Sequence, residues 1–260
     1  MTITAQEAWT DRSGTSGTSG TSGTSGTSGA IEVPAFVREV VEEVAFQARA
    51  DQKVDKRSGV SQRLPIAVLE SVVSNAERRA MMHGESPVVP RVSDVYTSLP
   101  ALTGKIELEY EGELKGAEQV ARELVRAAVA TVFDGHASIV NTRPIVTWFE
   151  NGGTLDLTDT SSAKQLLDAV SDIDRFDGVL DALAGADRAS ACMPTRGAVA
   201  DFILEGLCAL RKISRTDGGQ LFASPPQAKP RDRQPDPRTL EDLIEDDEQQ
   251  ARGRKKKFYN

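Results

Sequence analysis

Basic surface, cysteine, histidine and long apolar runs are all scarce in this chain, and each scarcity removes a class of function. Lys and Arg number 31 against 39 Asp and Glu, a net charge of −8. Nucleic-acid binding needs a basic face to hold phosphates. Here only the extreme C-terminus, from Arg252 to Lys257, is basic, so no nucleic-acid partner is expected. The two cysteines, Cys192 and Cys208, stand too far apart and are too few for a disulfide framework or a zinc site. Both are expected reduced and buried. No run of eighteen apolar residues is present, which excludes a membrane-spanning helix. The first residues lack a basic segment followed by an apolar one, so no signal peptide is expected and a cytoplasmic location is the default.

Catalytic signatures are also missing. A P-loop needs Gly, four residues, then Gly-Lys-Ser/Thr, because backbone amides and a lysine must surround the phosphates. Gly104-Lys105 is followed by Ile106, and Leu99 stands where the first glycine belongs. No HExxH pair, GxSxG elbow or CxxC cluster occurs. The only histidines, His83 and His136, sit near helix ends, where the expectation is contact with terminal carbonyls. Asp156 and Asp159, or Asp172 and Asp174, are expected to cap helices. Met81-Met82 is expected to fill core space.

What is present falls into four parts. Residues 13–29 repeat Ser-Gly-Thr with almost no variation. With no apolar side chain to bury, such a segment cannot offset the entropy of ordering. Its regularity has the form of an engineered linker. Residues 1–12 (MTITAQEAWTDR) are then either a leader or a peptide tethered to the domain, with Ile3 and Trp9 as its anchors. A folded region is expected over residues 30–222. Residues 223–260 form a tail, with five prolines over 224–238, an acidic run over 241–248 and a basic end.

The folded region reads as mainly α. Phe36, Val37, Val40, Val41, Val44, Ala45 and Ala48 repeat at helical spacing after Pro34. A polar loop follows over residues 51–60. A second helix is expected over 61–83, with Pro65 confined to its first turn and Gly84 ending it. Further helices are expected over 92–99, 117–133, around Trp148 and Phe149, up to Val170 from a cap at Asp159 or Thr160, and over 176–184 and 195–213. Lys105 to Tyr110 alternates polar and apolar residues, predicting a strand that turns at Gly112 toward Leu114 as a hairpin.

One segment could carry chemistry. In residues 56–63, a Gly-containing loop leads into the second helix and puts Arg63 in its first turn. Its planar fork could clamp phosphate oxygens, although a surface salt bridge is the ordinary role of such a residue.

The stretch RSGVSQR over residues 57–63 resembles the second-sensor motif of AAA+ ATPases of the magnesium chelatase and MoxR type. The surrounding order is similar too: VPAFVREVVEEVAFQARAD before it, then VSDVYTSLPALTGKIELEYEG, WFENGGTLDLTD and VADFILEGLCALRKISRTD after it. The similarity spans residues 31–217, and its first two segments are the most specific. It implies a helical lid region without its nucleotide-binding core. By position, Arg63 would be the sensing arginine reaching the γ-phosphate of ATP, with Gly59 and Ser61 shaping the turn that presents it. ATP and magnesium would be held by the core. The implied partners are that core, neighbouring ring subunits and a von Willebrand A protein. No Walker A, Walker B, first sensor or arginine finger is present, so this chain by itself is not expected to be an enzyme. The alternative is an interaction module that binds the tethered N-terminal peptide or a von Willebrand A protein without any nucleotide role.

Overall fold

The computed structural model describes residues 30–57, 60–184, 192–216 and 218–224. The expected linker, the N-terminal peptide with Ile3 and Trp9, Gly59 and residues 225–260 lie outside the described residues. Ten helices and three short strands are present among those described. The mainly α expectation holds, with a small antiparallel sheet beside the helices.

Helix α1 (Ala35–Ala50) follows Pro34 in extended backbone and buries Val37, Val40, Val41, Val44, Ala45 and Ala48 on one stripe. Its main neighbour is α6 (Ala117–Ala137), which buries Val120, Leu124, Val125, Ala128 and Phe133. Between them come α2 (Arg63–His83), α3 (Val92–Thr97), α4 (Leu99–Thr103) and α5 (Tyr110–Lys115). Pro65 is the third residue of α2, where its missing N–H costs nothing. Gly84 ends the helix at φ 66°, a left-handed conformation that favours glycine. Pro100 divides the expected 92–99 helix, opening α4 from its second position.

After α7 (Arg143–Glu150) come β1 (Leu155–Asp156), α8 (Ala163–Val170), α9 (Phe176–Ala184) and α10 (Met193–Ala209). The chain then forms β2 (Ile213–Arg215) and β3 (Gln220–Ala223), and the sheet order is β1-β3-β2. Leu155 pairs with Leu221, and Arg215 with Leu221 on the other side. Helix α10 is the centre of the fold. It touches α8, α6, α9 and α3 and is buried round its circumference from Gly197 to Leu207. A helix buried on every side belongs inside a domain.

At the crossing of α10 with α6, Gly206 lies under the Phe133 ring, and a Cβ there would come within 2.1 Å of its Cγ. Phe133 is fully buried and meets Phe202 edge-on at 5.3 Å, so it has no free space to retreat into. Gly206→Ala is therefore expected to lose about 1–3 kcal/mol by overpacking, read as a lower urea midpoint. An unchanged midpoint would mean that the two helices do not cross at Gly206.

Several local expectations are corrected. The hairpin over Lys105–Leu114 does not form. Ile106 does turn inward, but Leu108 makes a single bridge with Val54, in the loop after α1. Asp55 N–H donates to Glu107 O and Glu109 N–H to Lys53 O, both at 2.9 Å. Gly112 lies inside α5, where a Cβ would sit 2.5 Å from Lys53 O. The strands are instead at residues 155–156, 213–215 and 220–223. The last helix ends at Ala209, and Arg211, in the left-handed region at φ 57°, turns the chain into β2. The 223 boundary is also one residue early for β3, which runs through Ala223.

Met81 and Met82 are exposed, at 69% and 56%. The inward stripe of α2 runs through Val72, Val73, Ala76 and Ala80, and Arg79, not a methionine, is the buried residue beside it. Neither histidine contacts its own helix end. His83 Nε2 lies 2.7 Å from Thr160 O, and His136 Nε2 lies 2.7 Å from Glu39 Oε2. Helix α8 is capped by Ser162, not by Asp159 or Thr160, because the helix begins at Ala163 and Ser162 Oγ accepts from Gln165 N–H at 3.1 Å. Both thiols are free, as expected, but only part-buried.

Candidate functional site

Two charged sites emerge: an exposed corner at the start of α2 and a buried network behind its other end. At the corner, the loop is turned by aspartates. Asp51 Oδ1 accepts from Lys53 N–H at 2.8 Å and Asp55 Oδ1 from Arg57 N–H at 2.7 Å. Ser61 then starts the helix. Its Oγ accepts from Arg63 N–H at 3.2 Å and its carbonyl from Leu64 N–H at 3.0 Å. Leu64 and Pro65 are buried and pin the first turn, while Ser61 and Arg63 are exposed. The first turn has no acidic residue, and no described residue forms an ion pair with Arg63. The result is a positive helix end carrying an exposed guanidinium, which can take an anionic oxygen. The structure brings Arg63 and Ser61 together at this corner. Gly59 lies outside the described residues.

The second site is absent from the sequence reading. Arg79 projects from α2 into the core at 3% exposure and pairs with Asp94 of α3, while its Nη2 donates to Val89 O at 2.8 Å. Asp94 also accepts from Arg91 N–H at 2.8 Å, which satisfies a backbone donor at the start of α3. Arg91, 2% exposed, donates from Nη1 to Ser161 O at 2.8 Å and lies 3.6 Å from Glu85. Glu85 Oε1 in turn accepts from Ala163 N–H at 2.5 Å, tying the loop after α2 to the start of α8. Burial pushes the Asp94 carboxyl up, against the opposing pull of Arg79.

Helix α10 contributes two buried acids one turn apart. Asp201 Oδ2 accepts from Ser93 N–H at 2.9 Å. Glu205 forms a 2.5 Å ion pair with Arg215 of β2, off hydrogen-bonding alignment. Burial first, then Asp201, pushes the Glu205 carboxyl up to about 7, although Arg215 opposes the rise. These links join α2, α3, α8, α10 and the sheet. A sequence signal was available: Arg79 adjoins the inward stripe of α2, and Asp201 and Glu205 interrupt an otherwise apolar helix.

An open cleft of about 440 Å³ lies elsewhere, between Asp134, Asn141, Arg143 and Lys212. It contains no residue of the Arg63 corner. Among the described residues, no group of three metal-ligating side chains occurs and no helix is long and apolar enough to cross a membrane. No protein-family model, curated protein or solved structure matches the chain.

Proposed function

We propose that residues 30–224 act as the helical lid of a AAA+ ATPase of the magnesium chelatase and MoxR type, with Arg63 sensing the γ-phosphate of ATP held by a core. The supporting observation is the placement of Arg63: it opens a 21-residue helix, is solvent-facing, and has no ion-pair partner among the described residues. A surface salt bridge, the ordinary role for such an arginine, would give it a carboxylate neighbour. The buried Leu64 and Pro65 hold its backbone on the rigid part of the fold, so lid movement would carry the guanidinium with it. The corner suits one anionic oxygen. Its first turn offers no carboxylate for magnesium, which fits metal and triphosphate being held by the core. Neighbouring ring subunits and a von Willebrand A protein are the further partners of this reading.

The alternative, an interaction module with no nucleotide role, draws support from the exposed apolar side chains Met81, Met82, Tyr110 and Leu114. The two readings separate in ATP turnover with a core present, where only the lid needs Arg63. For a lid, Arg63→Ala leaves folding intact, because exposed substitutions change stability by less than about 0.5 kcal/mol. Thermal unfolding of the chain checks this: superimposed melting curves are expected. An early-melting variant would show that Arg63 is structural, against the assignment.

A further inference from the structure

We propose that residues 1–12 dock onto the solvent face of α2 formed by Arg78, Met81 and Met82 of the same chain. This stands independently of the lid reading. Positions 78, 81 and 82 are spaced i, i+3 and i+4, so they share one helix face. That face lies away from Val72, Val73, Ala76 and Ala80, which turn inward. Two large thioether side chains at 69% and 56% exposure flank Arg78, which is itself exposed and in no ion pair among the described residues. Adjacent exposed methionines make an adaptable apolar surface with affinity for aromatic rings.

Where the tether ends selects the occupant. Ala30 is the first described residue, and its carbonyl accepts from Val88 N–H at 2.9 Å, while Glu32 N–H donates to Val88 O at 2.9 Å. Ile31 packs onto Ala76, Ala80 and Val88. Residue 30 is therefore fixed against the last turns of the helix that carries Met81 and Met82. The seventeen residues 13–29 separate it from the peptide. Seventeen residues reach at most about 60 Å when fully extended, so residues 1–12 can lie on the outer face of α2. The peptide is chemically complementary to the face. Trp9 and Ile3 are its apolar anchors, and Glu7 and Asp11 flank Trp9 on either side, opposite in charge to Arg78. Addition of the peptide to a strand edge at Lys105–Leu114 is excluded, because α5 occupies residues 110–115.

The test uses the full chain and reads Trp9 as the difference between wild type and Trp9→Phe, which removes the Trp148 signal. Docking predicts that acrylamide quenches Trp9 at least about threefold more slowly than in a free peptide of residues 1–12. The protection should vanish in Met81→Ser/Met82→Ser and weaken in Arg78→Glu, while both variants keep the wild-type melting curve. Quenching equal to that of the free peptide would overturn the proposal. So would protection that persists in both variants. Protection that appears only with a dimer in light scattering would assign the peptide to a second copy and overturn docking within one chain.

Discussion

Asp94→Ala is expected to destabilise the protein by about 3–5 kcal/mol, the range for breaking a buried ion pair by removing one partner. Asp94 is the acceptor for both Arg79 Nη1 and Arg91 N–H. Without it, Arg79 stays 3% exposed with only Val89 O at hydrogen-bond distance and Glu85 4.0 Å away. The loss should come from the orphaned guanidinium, not from the intrinsic worth of the pair. Replacing both partners by apolar residues, as in Arg79→Met/Asp94→Leu, should therefore recover much of the loss. Urea unfolding of the single and double variants checks this. A double variant no more stable than Asp94→Ala would show that the charge itself holds α2 to α3.

Glu205 gives the protein an unusual pH dependence. Its folded-state carboxyl is held at about 7 against an ordinary 4.5, mainly by burial. The folded state therefore binds this proton more tightly than the unfolded state. Stability from this group is fully present below about pH 4.5, declines as pH rises through 7, and is flat above. At ~1.4 kcal/mol per pH unit, a shift of this size amounts to about 3 kcal/mol. Asp201 on the same helix adds to the shift and Arg215 of β2 opposes it, while Tyr96 and Cys208 titrate too high to contribute near neutrality. Unfolding free energy should thus be greater at pH 5 than at pH 8. Glu205→Gln, which cannot ionise, should flatten that slope. Equal slopes in the two proteins would place the titration elsewhere.

The long helices were legible because their apolar positions repeat without interruption. The stripe from Val37 to Ala48 is found buried where spacing put it, and Leu69, Val72, Val73, Ala76 and Ala80 form the matching buried stripe of α2. Position within the fold was less legible. The alternation of Lys105–Glu109 predicts inward and outward faces, and Ile106 obeys it, but a periodic strand pattern does not name its partner. A short contact with Val54 satisfied the backbone, leaving Tyr110 free to begin a helix. The apolar run through Leu210 and Ile213 hid a strand because nothing in it marks the turn that Arg211 makes. The Arg63 corner could be read from local spacing alone. The charged members of the buried network stand out within their helices, but the network joins residues as far apart as Ser93 and Asp201, so no local pattern names their partners.

Under the lid proposal, Arg63 reads a phosphate held by another domain. This is tested most directly by ATP turnover of residues 30–224 joined to a AAA+ core of the magnesium chelatase and MoxR type, with and without Arg63→Ala. A charge-assisted bond contributes about 1.5–3 kcal/mol, so the account predicts at least about a tenfold loss of turnover or ATP response at unchanged melting temperature, and no hydrolysis by the present chain alone. Normal turnover in the Arg63→Ala protein would contradict it.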